Sequence, residues 1–294
     1  MKINKYIKIF FLNLILLTQL RSDLADIIIF SFDRPLQLYA LLESIDKYVK
    51  GIDKIFIIYR TSSERFNKVY QKVFSDFTKL NIKSYKQGNE PKKDFKPLLI
   101  NSLNQCNNYL LFAVDDIIIK DFIDINECIK YLENNNYYGF YLRLGKNITE
   151  CYTEGIKTPL PQIKQLNEQL FAFSFENQKG DWGYPSTVDF TLYKKEKVIN
   201  IILKNNFTSP NTFESMWAKK LSKKGLIGIA YNESKIINIP ANIVQKDYNN
   251  KNMKQDLNDF LEKFENGFKI DINKFFKINN KSPHIISSFE FINK

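Results

Sequence analysis

The stretch Tyr109-Leu-Leu-Phe-Ala-Val-Asp-Asp-Ile117 is six apolar residues in a row that stop on two adjacent carboxylates. A short unbroken apolar run bounded by polar residues reads as a strand buried on both faces. Working outward, Asp26 to Phe32 (DIIIFSF) reads the same way and is closed by the turn Asp33-Arg34-Pro35, and Lys54 to Tyr59 (KIFIIY) is a further strand. Asn81 to Tyr85 is a weaker one. Between them lie segments of helical period. Pro35 to Lys50 carries Leu36, Tyr39, Ala40, Leu42 and Ile45 on one face, with Pro35 suited to a first turn, and Ser63 to Leu80 and Asp94 to Asn104 follow. Strands alternating with helices predict an α/β fold: right-handed crossovers and a mostly parallel sheet flanked by helices. Ligands bind such sheets outside the carboxyl ends of the strands. That rule places Asp33, Arg34, Arg60, Asp115 and Asp116 on one ligand-facing edge.

Adjacent carboxylates at a strand end repel each other unless a cation or donor neutralises them. A hard ion such as Mg²⁺ or Mn²⁺ takes oxygen ligands and commonly binds one or two carboxylates plus substrate phosphates. An acidic turn that caps the next helix is the other reading of Asp115-Asp116. Downstream, a helix is expected over 121–134, a strand over 139–144, and a loop-rich, substrate-facing region over 145–183 that includes the aromatic, acidic stretch 171–182. A strand over 187–193, helices over 196–204 and 213–222, strands over 227–231 and 235–239, and an amphipathic helix over 253–266 complete the chain. No internal repeat or long linker interrupts it.

The 294 residues are 44% hydrophobic and 26% charged, enough apolar material for a sizeable core in one large α/β domain with a small extension. The net charge of +11 favours anionic partners but is spread along the chain and selects none. Cys106, Cys128 and Cys151 form no CxxC pair, and one histidine leaves no zinc framework. At the N-terminus, Lys2, Lys5 and Lys8 precede the apolar run Ile9 to Leu20, the pattern of a signal peptide or, since Leu20-Arg21-Ser22 is a poor cleavage site, of a signal anchor. Residues 1–25 are therefore expected to direct the protein to a membrane or secretory location. Three Asn-X-Ser/Thr matches (Asn147, Asn206, Asn232) are too short to decide more. No P-loop and no G-x-G-x-x-G is present. Ser31 to Pro35 lacks the glycine-rich loop that a nucleotidyltransferase needs there.

Residues Asp26 to Leu144 resemble the nucleotide-binding half of GT-A glycosyltransferases, closest to the family 2-like group. The resemblance rests on Ser31-Phe32-Asp33-Arg34-Pro35, similar to that family's N-R-P turn, and on Val114-Asp115-Asp116, similar to its D-x-D or E-D-D signature. The first acidic position of that signature is Val114 here. The resemblance implies a GT-A fold over 26–294, with 26–144 holding the donor and 145–294 the acceptor. It implies transfer of a sugar, with inversion, from a nucleotide-diphosphate sugar to a hydroxyl of a glycan, lipid or protein acceptor. Ser31, Asp33, Arg34, Arg60 and Asp115 would meet the donor. Asp116, with Asp115 and His284, would hold Mn²⁺ or Mg²⁺ against the leaving diphosphate. A basic, exported or membrane-associated binding protein with this fold and no catalysis is the alternative; nucleic-acid binding has no recognisable module in the chain.

An inverting transferase needs a general base for the acceptor hydroxyl, which the family supplies at a helix start downstream. Glu214, in Ser209-Pro210-Asn211-Thr212-Phe213-Glu214, fits that position, although Asn211 to Glu214 also reads as a capping box. Asp189 is the second candidate and Asp181 the third. Gly180-Asp181-Trp182-Gly183-Tyr184-Pro185 reads either as an aromatic acceptor loop, with Asp181, Trp182 and Tyr184 facing a sugar, or as a turn anchored by a buried Trp. His284 is either a ligand or a surface histidine, and Asn242 to Gln245 lie where they could line the site.

Overall fold

The computed structural model describes residues 24–133, 136–244 and 251–294. The leader, the expected end of a helix at Asn134, and Gln245 lie outside the described residues. The first half alternates as expected: β1 (Ala25–Phe32), α1 (Pro35–Tyr48), β2 (Ile52–Arg60), α2 (Glu64–Asp76), β3 (Ile82–Lys86), α3 (Pro91–Gln105) and β4 (Tyr109–Val114). The second half contributes α4 (Ile125–Glu133), β5 (Gly139–Tyr141), β6 (Ile163–Gln165), β7 (Leu170–Ser174), β8 (Thr191–Lys194), α5 (Lys195–Lys204), α6 (Pro210–Lys220), β9 (Ile227–Tyr231) and α7 (Leu257–Glu265).

Nine strands form one sheet in the order β6-β7-β9-β5-β8-β4-β1-β2-β3. The pairs β1/β2, β1/β4, β2/β3 and β5/β9 are parallel. β8 runs against both its neighbours, and so does β7. Seven of the nine strands therefore share one direction, and the α/β, mostly parallel expectation is borne out. The unbroken apolar runs have a direct cause: alternate residues of each central strand enter two different cores. Ile27 and Ile29 of β1 and Leu111 and Ala113 of β4 pack under α1, α2, α4 and α7. Ile28, Phe30, Leu110 and Phe112 pack on the other face against α3, α5 and α6. Each fully buried aliphatic side chain contributes roughly 1.5–3 kcal/mol.

Three of the differences from the sequence reading bear on the site. The region 145–183 is less loop-like than expected, because Ile163–Gln165 and Leu170–Ser174 pair antiparallel and extend the sheet. Leu170, Phe171, Ala172 and Phe173 are all buried, so β7 shows no alternation to betray it. Helix α6 begins at Pro210, earlier than its apolar period indicates. Its capping box is Ser209 with Thr212: the Ser209 hydroxyl accepts from the Thr212 N–H at 3.2 Å, and the Thr212 hydroxyl accepts from the Ser209 N–H at 2.9 Å. The proposed Asn211–Glu214 box is thereby corrected, and Glu214 is released from a capping role. Finally, β8 starts only at Thr191, after a bend in which Phe190 has φ 48°. Among the described residues, no helix is long and apolar enough to cross a membrane.

Candidate active site

The carboxyl ends of β1, β2 and β4 open into a cleft of about 1120 Å³, walled on its other side by the loops around residues 151–154, 180–189 and 238–244, by α6, and by His284. The turn after β1 shapes its floor. Asp33 sits at φ 53°, a left-handed conformation that short polar residues tolerate, and its carboxylate accepts the Ser62 N–H at 2.8 Å. That kink reverses the chain so that the next side chain, Arg34, lies buried along the cleft floor. The Tyr70 hydroxyl, from α2, fixes the same turn, accepting the Arg34 N–H at 3.0 Å and lying 2.5 Å from the Ser31 hydroxyl.

Arg34 organises the acidic pair. One terminal nitrogen donates to Asp115 at 2.9 Å and to Asp116 at 3.2 Å, while Nε donates to the Asn242 side chain at 2.8 Å and the other terminal nitrogen to the Asn242 carbonyl. The remaining oxygen of Asp115 accepts from the Ser31 hydroxyl at 2.7 Å and the Phe32 N–H at 3.2 Å. Both oxygens of Asp115 are thus engaged. Asp116 differs: its Oδ1 is buried with no hydrogen-bond partner among the described residues. Burial pushes the Asp116 carboxyl up to about 6, opposed by Arg34 and reinforced by Asp115 and Asp189. The pair is not a helix cap, since the chain continues into the short strand Ile117–Ile119, paired with Ile236–Asn238.

The opposite wall carries a second buried ion pair. Arg143, just beyond β5, donates to an Asp181 carboxylate oxygen at 2.5 Å and to the backbone carbonyls of Asp181 and Tyr184 at 3.0 and 3.1 Å. Asp181 Oδ2 is left buried and unpartnered among the described residues. Gly180, at φ 54°, lies against the loop of Cys151: a Cβ there would come within 2.7 Å of the Cys151 Cβ. Nearby, the Glu214 carboxylate accepts the Val188 N–H at 2.9 Å. Burial, then Asp189, pushes the Glu214 carboxyl up to about 7. Asp189 accepts from the Asn238 amide at 3.4 Å and lies 3.5 Å from His284 Nε2. His284 is held by backbone bonds on either side of it, Asn238 N–H to Pro283 and Ile285 N–H to Asn238, and its Nδ1 is buried without a partner among the described residues.

Ser31, Arg34, Arg60, Asp115, Asp116, Asp181, Tyr184, Asp189, Glu214 and His284 therefore all line this one cleft. Two expected residues do not. Asp33 stands behind the floor with its carboxylate accepting from Ser62, so it shapes the turn and does not line the cleft. Trp182 is fully buried, edge-on to Phe173 at 4.9 Å, and its indole N–H donates to the Ile148 carbonyl at 3.1 Å. It anchors the loop from beneath and stacks on no ligand. Trp182→Ala is accordingly expected to lower unfolding free energy by about 3–5 kcal/mol in denaturant titrations. A loss below about 1 kcal/mol would contradict this anchoring role. Arg60 lies at the rim with its guanidinium over the Phe32 ring at 4.5 Å.

Sequence reasoning missed Arg143, Asn238 and Tyr70. Arg143 carried at most one signal, a charge inside the otherwise uncharged run 139–144. Tyr70 and Asn238 carried none. Charge is also distributed unexpectedly: the cleft is lined by seven carboxylates against six Lys or Arg, although the whole chain is +11. Among the described residues, no group of three His, Cys, Asp or Glu gathers around a common point to hold an ion. The free Asp116 oxygen nevertheless fits an ion that takes its other ligands from a phosphate-bearing substrate.

No family model matches the chain. Over 215 residues, 64% of its length, it is 32% identical to the bifunctional glycosyltransferase pgtA of Dictyostelium discoideum, and the match spans 27% of that protein. Among solved structures, S. aureus TarS 1-349 in complex with UDP-GlcNAc aligns with a TM-score of 0.40 at 15% identity, over 70% of this chain and 58% of that one. The mannosyltransferase PcManGT from Pyrobaculum calidifontis, with GDP-Man and Mn²⁺, gives 0.41 at 10% identity, over 72% and 57%. GalNAc-T7 with UDP, GalNAc and Mn²⁺ gives 0.45 at 9%, over 74% and 44%. At these scores the structural likeness carries no argument about chemistry.

Proposed function

We propose that this chain is a glycosyltransferase that moves a sugar from a nucleotide-diphosphate donor to an acceptor hydroxyl with inversion. The observation that carries the reading is the set of buried acceptors in the cleft that have no hydrogen-bond partner among the described residues: Asp116 Oδ1, Asp181 Oδ2 and Asn238 Oδ1. Unmet buried acceptors cost free energy until a ligand supplies donors or a cation. A polyhydroxylated ring and a divalent ion supply both. The sequence match to a glycosyltransferase supports the same conclusion.

In this reading Asp116 would hold Mn²⁺ or Mg²⁺ through its free oxygen together with the donor's phosphates, and the ion would supply neutralisation of the leaving diphosphate. Asp115 keeps Arg34 and Ser31 in place along the donor's side of the floor. Arg60, at the end of β2, serves the nucleotide end. Asp181, clamped by Arg143, and Tyr184 take the sugar side. Glu214 removes the acceptor's hydroxyl proton as that oxygen forms its bond to the anomeric carbon and the bond to the diphosphate breaks. A carboxyl with its pKa near 7 is well matched to that work. Asp189 stands between Asn238 and His284 as the alternative base.

Thermal melts with UDP-, GDP- and CMP-sugars, with and without Mn²⁺, test this. One class of donor should stabilise the protein by about 2.7 kcal/mol at a hundred times its Kd, and more with the ion than without. If no nucleotide sugar shifts the melt and none is consumed, the transferase reading is wrong.

A further inference from the structure

We infer that the end of the molecule opposite the cleft docks on an anionic lipid surface through an aromatic patch ringed by lysines. Two exposed rings, Phe122 and Phe276, meet there over the buried ring of Tyr48. Tyr48 stacks on Phe276 at 5.2 Å and meets Phe122 edge-on at 5.4 Å, and Phe122 meets Phe276 at 5.9 Å. Phe122 is 58% exposed and Phe276 37%. A single exposed phenylalanine is ordinary, but mutually packed exposed rings form an apolar surface that water penalises. Lys47 Nζ lies 5.2 Å from the Tyr48 ring centre, and Lys277 Nζ lies 5.4 Å from that of Phe276. Lys50 is exposed on the short parallel pairing of Val49–Lys50 with Ile123–Asp124, beside Phe122.

The acidic groups nearby are mostly engaged. Asp121 pairs with Lys235 at 2.5 Å, and Asp124 accepts the Asn126 N–H at 2.9 Å; Asp46 is exposed next to Lys47. Aromatic rings that sit at the head-group level and lysines that meet anionic head groups are the pairing a bilayer surface rewards.

The course of the chain agrees with this occupant. Tyr48 ends α1, and the Ala25 N–H bonds to the Gly51 carbonyl at 3.0 Å, so the chain enters the sheet at this same edge. The sequence before it carries Lys2, Lys5, Lys8 and the apolar run Ile9 to Leu20. The described chain thus enters β1 at the end of the strands that carries the aromatic patch, while the cleft occupies the other. The inference does not rest on the transferase reading, and its test contains no nucleotide sugar.

The test places a reporter in the patch of the full-length protein. Trp182 and Trp217 are fully buried and give a constant background, so Phe122→Trp adds the one solvent-facing indole among the described residues. Vesicles of phosphatidylcholine with phosphatidylserine should shift its emission to the blue, and brominated acyl chains should quench it. Both effects should vanish with phosphatidylcholine alone and at high salt. Sedimentation with vesicles while the F122W emission stays red would show that the leader alone holds the membrane and would overturn the inference. So would a failure to sediment, or a concentration-dependent blue shift without lipid, which would assign the patch to a second copy of the chain.

Discussion

Asp116→Asn leaves a protein that folds as well as its parent and transfers almost nothing. The kcat/KM for the preferred donor is expected to fall by about a thousandfold, the upper range for losing one preorganised electrostatic contact in a dry site. Asn preserves shape, and Arg34 keeps its bond to Asp115, so the floor stays assembled. Burial already disfavours the Asp116 charge, so a neutral side chain removes a cost and the melting temperature of the free protein should hold or rise. The Mn²⁺-dependent part of donor stabilisation should disappear. This combination separates a ligand-binding carboxylate from a structural one. A variant that melts lower yet keeps about a tenth or more of its activity would remove Asp116 from the chemistry.

Glu214→Gln carries the second large effect. The amide oxygen of Gln can still accept the Val188 N–H, so the α6 contact with residues 187–189 survives. Proton removal does not, and kcat should drop by about a hundred- to ten-thousandfold. The pH profile gives the independent readout. A base works in its deprotonated form, so activity of the parent should rise with pH through about 7, where the buried Glu214 carboxyl loses its proton. That rising limb should flatten in the variant. If Glu214→Gln keeps the limb and Asp189→Asn abolishes it, the base is Asp189 and Glu214 is only its buried neighbour.

Much of this site could be read from the chain because two local rules coincide. An unbroken apolar run marks a central strand, and a central strand in a doubly covered sheet delivers its next residues to the ligand edge. Arg34, Arg60, Asp115 and Asp116 were placed at the cleft by that reasoning alone. The same rule failed at Asp33 for a conformational reason, since its left-handed backbone turns the side chain toward Ser62 and hands the inward direction to Arg34. In the second half the reading weakened because burial on two faces removes periodicity. β7 looked like an aromatic loop, and of the two readings of Trp182, a stacking surface or a buried anchor of its turn, the buried anchor is the one found. The direction a loop side chain faces depends on what packs behind it, here Phe171 and Phe173, which no local pattern announces. Arg143 was hidden because the run 139–144 reads as one strand with Arg143 inside it, whereas the strand ends at Tyr141 and leaves Arg143 beyond its end.

The mismatch between a strongly cationic chain and a cleft lined almost evenly by both signs separates capture from retention. At distances beyond the outer shell, an anionic donor feels the excess of lysines and is drawn in, a steering effect that dissolved salt weakens. Once it reaches the floor it meets Asp115, Asp116, Asp189 and Glu214, and long-range attraction no longer holds it there. On the proposed reading, monovalent salt would govern how often the donor arrives, and a companion ion how long it stays.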